Sequence, residues 1–111
     1  MSSKWPNGIP TKKTVKQAET VLTVFFYPTG GLWRKEYRNK NGELHRTDGP
    51  ALVVWHPNNQ VWLHKYYFHG NLHREGGPAI IEYDENGSLE RSEYYRHGCV
   101  VDPPETAMFV A

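Results

Sequence analysis

The chain's 111 residues carry thirteen Lys or Arg against twelve Asp or Glu, a net charge of +1 that suits one domain with no overall pull toward nucleic acid. A chain of this length buries roughly 65% of its unfolded surface, so the core needs no staples, and the single Cys99 excludes an internal disulfide or a zinc pattern. No leader peptide or membrane-length apolar run is legible, the longest being residues 24–27 and 51–55, so a cytoplasmic protein without a membrane partner is expected.

Residues 1–20 carry Lys4, Lys12, Lys13 and Lys16, two prolines and no acid before Glu19. They follow neither a helical nor a strand period, and a basic, partly disordered arm is expected. From Val21 the pattern turns to β. Residues 23–27 (Thr-Val-Phe-Phe-Tyr), 51–55 (Ala-Leu-Val-Val-Trp) and 79–83 (Ala-Ile-Ile-Glu-Tyr) are short, β-branched and aromatic, and match at a 28-residue spacing. Each runs into turn chemistry: Pro28-Thr29-Gly30-Gly31, His56-Pro57-Asn58-Asn59 and Asp84-Glu85-Asn86-Gly87. Gly and Asn there tolerate the positive φ of a tight hairpin. Return strands follow at Leu32–Arg38, 61–68 and Leu89–Arg96, and end at Asn41-Gly42, His69-Gly70 and His97-Gly98. Pro103-Pro104 forbids further ladder pairing and opens a tail, 103–111. Alternation puts Phe25, Tyr27, Val53, Trp55, Ile81 and Tyr83 on one face, expected to be the core. Val24, Phe26, Leu52, Val54, Ile80 and Glu82 share the other, with Met108, Phe109 and Val110 as candidates to cover it.

The connector between hairpins repeats. Leu44-His45-Arg46-Thr47-Asp48-Gly49-Pro50-Ala51 returns 28 residues later as Leu72-His73-Arg74-Glu75-Gly76-Gly77-Pro78-Ala79, and segments 44–71 and 72–99 agree at 11 of 28 positions. Such a period marks a repeat protein. The fold expected over residues 21–102 is all-β, an antiparallel meander of about three stacked hairpins. The first hairpin aligns imperfectly, with Tyr37 one place out of step with Tyr66, which calls for a bulge or an altered loop.

Hairpins headed by Leu-His-Arg-x-Asp-Gly-Pro-Ala and closed by Tyr-Tyr-x-x-Gly resemble the MORN-like repeats of small phage-encoded proteins and of some antitoxin or immunity proteins. The resemblance spans residues 21–101 and implies a sheet of stacked hairpins used for binding rather than catalysis. The match is complete at 44–51; at 72–79 Gly76 stands where the motif has Asp.

No catalytic residues are assigned. Cys99 follows a turn glycine, the serines lie in no nucleophile elbow, and Gly76-Gly77-Pro78 leads into a strand rather than a helix N-terminus. His64, His69 and His73 lack the companions of a metal motif, so neither metal nor cofactor is expected. His45, Arg46, Gly49, Pro50, His73, Arg74, Gly77 and Pro78 are read as structural: they pair the connector's backbone and set its bend. The candidate partner surface is drawn from residues where the copies differ or tyrosines are adjacent: Trp62, His64, Tyr66, Tyr67, Tyr94, Tyr95 and Glu90. Trp62 is the sharpest of these, because its repeat counterpart is Glu90.

Charge is uneven along the chain. Residues 1–46 hold nine cations and three acids; residues 47–111 hold four and nine. Lys12, Lys13, Lys16, Arg34, Lys35, Arg38 and Lys40 are candidate contacts for phosphate or an acidic surface. The leading expectation is a non-enzymatic interaction module, a phage-encoded inhibitor that sterically blocks a host protein such as a defence nuclease or transcription component. The alternatives are nucleic-acid binding by the basic half, and a virion or immunity protein. Exposed sheet edges allow either a monomer or an edge-paired homodimer.

Overall fold

The structure, a computed structural model, describes residues 12–16 and 20–103. It is all-β. Among the described residues there are ten strands: β1 (Lys12–Lys16), β2 (Val21–Phe26), β3 (Leu32–Arg38), β4 (Leu52–Trp55), β5 (Val61–Lys65), β6 (Tyr67–Phe68), β7 (Asn71–Leu72), β8 (Ile80–Tyr83), β9 (Leu89–Arg96) and β10 (Cys99–Val101). Eight form one antiparallel sheet in the order β1-β2-β3-β4-β5-β8-β9-β10, while β6 and β7 make a small hairpin of their own. No helix occurs among the described residues, so none is long and apolar enough to cross a membrane.

Three strands, β1, β7 and β10, lie outside the three expected hairpins. Lys12–Lys16, within the segment read as an arm, pairs with β2 from Lys12↔Phe25 to Lys16↔Val21. Cys99–Val101 pairs back onto β9 around the His97-Gly98 turn, both of whose residues have positive φ. The return strand read as 61–68 divides at Tyr66, because β5 stays in the main sheet while Tyr67 and Phe68 leave it to pair with Asn71 and Leu72. The other residues of the arm, and 104–111 of the tail with Met108, Phe109 and Val110, lie outside the described residues.

The hairpins β2–β3, β4–β5 and β8–β9 are copies. Each closes with the same pair of turn bonds, Tyr27 N–H to Gly31 O and Gly30 N–H to Tyr27 O in the first, with His56 and Asp84 in the place of Tyr27 in the others. Positive φ falls at the same turn position each time, at Gly30, Asn59 and Gly87. The true spacing between the first and second hairpins is therefore 29 residues, not 28. Tyr37 and Tyr66 confirm it, since each donates its N–H to the alanine that ends a connector, Ala51 and Ala79. The extra residue sits in the loop after β3, where Asn39 binds Glu43 across three residues, while the equivalent His69-Gly70 turn has two. Asn59 is the costly member of its series, because it holds φ 73° without being glycine. Asn59→Val is expected to lose about 1–2 kcal/mol in urea unfolding, the cost of a branched side chain in left-handed backbone. Asn59→Gly is expected to be neutral or better.

The repeated connector motif is structural. The Arg46 guanidinium lies 4.0 Å over the Tyr37 ring and donates to Pro50 O, and Arg74 lies 4.0 Å over Tyr66 and donates to Pro78 O. Gly49 and Gly77 give these arginines room: a Cβ there would come within 2.9 Å of Arg46 and 2.8 Å of Arg74. His45 Nδ1 accepts the His69 N–H at 2.9 Å, and His73 Nδ1 accepts the His97 N–H at 3.0 Å. Each Leu-His-Arg thereby ties its hairpin to the loop of the next. The copies differ at Asp48, which pairs with Arg46 at 3.1 Å; Gly76 in its place takes φ 86°, a backbone that an aspartate would adopt only with strain.

The expectation that one face alone forms the core is corrected by register. Val24, Lys35, Val53, His64, Ile81 and Ser92 make one row across the sheet; Phe25, Arg34, Val54, Leu63, Glu82 and Arg91 make a row on the other face. Phe25 thus groups with Val54, not Val53. Burial is divided, with Val53, Ala51, Ala79 and Tyr37 on the connector face and Leu52, Val54 and Ile80 on the other. Among the described residues the sheet is a single layer, with no second sheet of comparable size.

Candidate protein-docking groove

Three pairings slip by one residue at the same place. Phe25 faces Arg34 but Phe26 faces Leu32; Val54 faces Leu63 but Trp55 faces Val61; Glu82 faces Arg91 but Tyr83 faces Leu89. The unpaired extra residues are Trp33, Trp62 and Glu90. A bulge bends the strand and re-aims the side chain it leaves out. Here it turns Trp33 toward Phe25, with ring centroids 5.6 Å apart, and Trp62 toward Glu82, whose carboxylate accepts the indole N–H at 3.3 Å. The two tryptophans remain 39% and 38% exposed.

Around them the hairpin tips enclose an open groove of about 1060 Å³. Its lining includes the aromatic residues Phe25, Tyr27, Trp33 and Trp62 and, toward the third hairpin, the carboxylates Glu82, Asp84, Glu85 and Glu90. The floor is tied together between hairpins. The Tyr27 hydroxyl donates to Trp55 O at 2.6 Å, and burial raises its pKa, so it remains a donor at neutral pH. His56, 6% exposed, sits 3.0 Å through Nε2 from Tyr83 O and stacks on Trp62 at 4.4 Å with rings 9° from parallel. A carbonyl partner makes that Nε2 the donor. Asp84 cannot reach onward in this way; it accepts instead from the Asn86 and Ser88 amides of its own turn.

The residues singled out from sequence do not converge on one surface. Trp62 and Glu90 line the groove. His64 lies in the Val53 row on the other face, and Tyr66, under Arg74, and Tyr94 are on that face too. Tyr67 pairs with Leu72 away from the tips, and Tyr95 donates its hydroxyl to Glu93, which raises its pKa. The basic group is also divided. Arg34 and Arg38 share Glu36 at 2.6 and 3.2 Å; Lys35 lies 5.8 Å over the Trp55 ring; Lys40 is exposed in the loop after β3. Lys12, Lys13 and Lys16 occupy β1. Sequence reading missed Trp33, Phe25, Tyr27 and His56. Aligning Pro28 with Pro57 instead of Thr23 with Ala51 superposes Trp33 on Trp62 and Tyr37 on Tyr66, and would have found them.

His64 has a different role. Burial lowers its pKa below the ordinary 6.5, and the charge of Arg74 adds to the effect. The unfolded chain therefore takes up a proton at higher pH than the folded one. Stability from the neutral ring is complete above about pH 6.5 and is lost as pH falls below it. A midpoint that falls between pH 7 and 5, and falls less in His64→Gln, is the expected result of thermal melts.

Comparison with family models, with curated proteins and with solved structures found no match.

Proposed function

We propose that this chain is a non-enzymatic protein-interaction module that docks a partner in the groove at its hairpin tips. The observation that carries this reading is the triple bulge. Its extra residue sets two tryptophans, each more than one-third exposed, and a glutamate together in the lining of one groove, and contiguous exposed apolar surface rimmed by polar groups marks interaction sites. Exposed tryptophan beside a polar rim is what protein interfaces enrich. The narrower expectation, an inhibitor blocking a host protein, rests on the repeat resemblance and would use this same groove.

Face-specific photocrosslinking tests the reading. A benzophenone side chain placed at position 90 reports on the groove; one at position 92 lies on the opposite face. Discrete adducts in host cells from position 90 and none from 92 are expected. Adducts from 92 alone would place the docking face elsewhere.

A further inference from the structure

We infer that the segment seated in this groove is basic, and that an arginine or lysine side chain of the partner protein lies over the exposed indole faces with Glu85 and Glu90 as its counter-charges. The inference rests on the docking role proposed above and adds the chemistry of the occupant.

The charge change along the groove is systematic. At the bulge position the three hairpins carry Trp33, Trp62 and Glu90; two residues before the turn residue, Phe25, Val54 and Glu82; at the turn residue itself, Tyr27, His56 and Asp84. All three series run from aromatic or apolar to carboxylate, and no Lys or Arg lines the groove. Two of the four acids are already engaged. Glu82 pairs with Arg91 at 3.1 Å and accepts from Trp62, and Asp84 caps its own turn. Glu85 and Glu90 are exposed and their carboxylates have no ion pair among the described residues. Two like charges near aromatic rings are relieved by a cation, and the faces of Trp rings attract one electrostatically. His56 stacks on one face of Trp62, and the residue remains 38% exposed.

The fold builds the same arrangement internally on its opposite face. Arg46 lies over Tyr37 with Asp48 as counter-charge, and Arg74 lies over Tyr66. A partner arginine over Trp62 with Glu90 beside it would repeat the Arg46 geometry with the cation supplied from outside. The same charge opposes a nucleic-acid backbone at this site, since phosphates would meet the unpaired carboxylates of Glu85 and Glu90.

A synthetic nonapeptide library on a fixed leucine and phenylalanine frame, with Arg, Lys, Gln or Glu at the variable positions, tests this with the full-length chain and tryptophan fluorescence as readout. Selection of Arg or Lys is expected, with affinity falling at least about tenfold between 50 and 500 mM salt as surface attraction is screened. The double variant Glu85→Lys with Glu90→Lys should lose that binding while keeping the wild-type melting midpoint, and Glu85→Gln with Glu90→Gln should lie between. Equal binding of neutral or acidic peptides that Trp62→Ala abolishes would overturn the cationic occupant and leave the docking role standing. Failure of every peptide to bind, or displacement of bound peptide by a single-stranded oligonucleotide, would overturn the inference outright.

Discussion

Tyr37→Ala is expected to cost about 3–5 kcal/mol in urea unfolding, the range for removing a buried aromatic ring. Tyr37 is 7% exposed, its ring lies under the Arg46 guanidinium, and its N–H is donated to Ala51 O, where the connector re-enters the sheet. Truncation leaves a cavity beneath Arg46 and strips the guanidinium of its platform. Two neighbours sharpen the test. Tyr66 keeps its arginine but is half-buried, and Tyr94, at the same place in the third hairpin, has no arginine over it because Asp102 stands where the repeat has Arg46 and Arg74. Tyr94→Ala is therefore expected to cost only about 1 kcal/mol. A flat series across Tyr37, Tyr66 and Tyr94 would show that the arginine cap contributes little.

Trp62→Ala is expected to weaken partner or peptide binding about 30-fold or more, the effect of truncating an interface anchor that is buried on docking. The ring is more than one-third exposed in the free protein, so stability should change far less than binding does. Trp33→Ala is expected to follow the same pattern at smaller amplitude, because Trp33 stands farther from the carboxylates in sheet order and rests edge-on against Phe25. If both variants bound normally while Ser92 substitutions on the opposite face did not, the docking face would have to be reassigned.

Much of the fold was legible in the sequence. Turn residues with positive φ were marked by Gly and Asn, and alternating β-branched and aromatic residues marked the strands between them. Two elements were hidden for physical reasons. Lys12–Lys16 has no apolar period to mark it, and as a strand at one end of the sheet order it is held by its ladder with β2. The break at Tyr66 was masked because Tyr-Tyr-Phe reads as one strand; the Tyr66 N–H still extends the β5–β8 ladder to Ala79 O, but its carbonyl accepts from His73 and the chain beyond it pairs with Asn71 and Leu72. The candidate site was half legible. The contrast between Trp62 and Glu90 pointed to the groove, but a 28-residue alignment placed Val61 opposite Trp33 and so concealed the partner ring. One inserted residue in the loop after β3 separates those two alignments. The tyrosine pairs misled because alternation sends Tyr66 and Tyr94 to the connector face, where they serve as platforms and strand neighbours.

The docking face is tested most directly by nuclear magnetic resonance of the nitrogen-15-labelled chain titrated with an arginine-containing peptide. The Trp62 indole N–H, held by Glu82, is a built-in reporter. The expected result is saturable shifts of the Trp33 and Trp62 indole signals and of the amides of Glu85 and Glu90, with Val53, His64 and Ser92 on the other face unmoved. Shifts confined to the connector face, or indole signals unchanged at saturating peptide, would contradict the assignment of the groove.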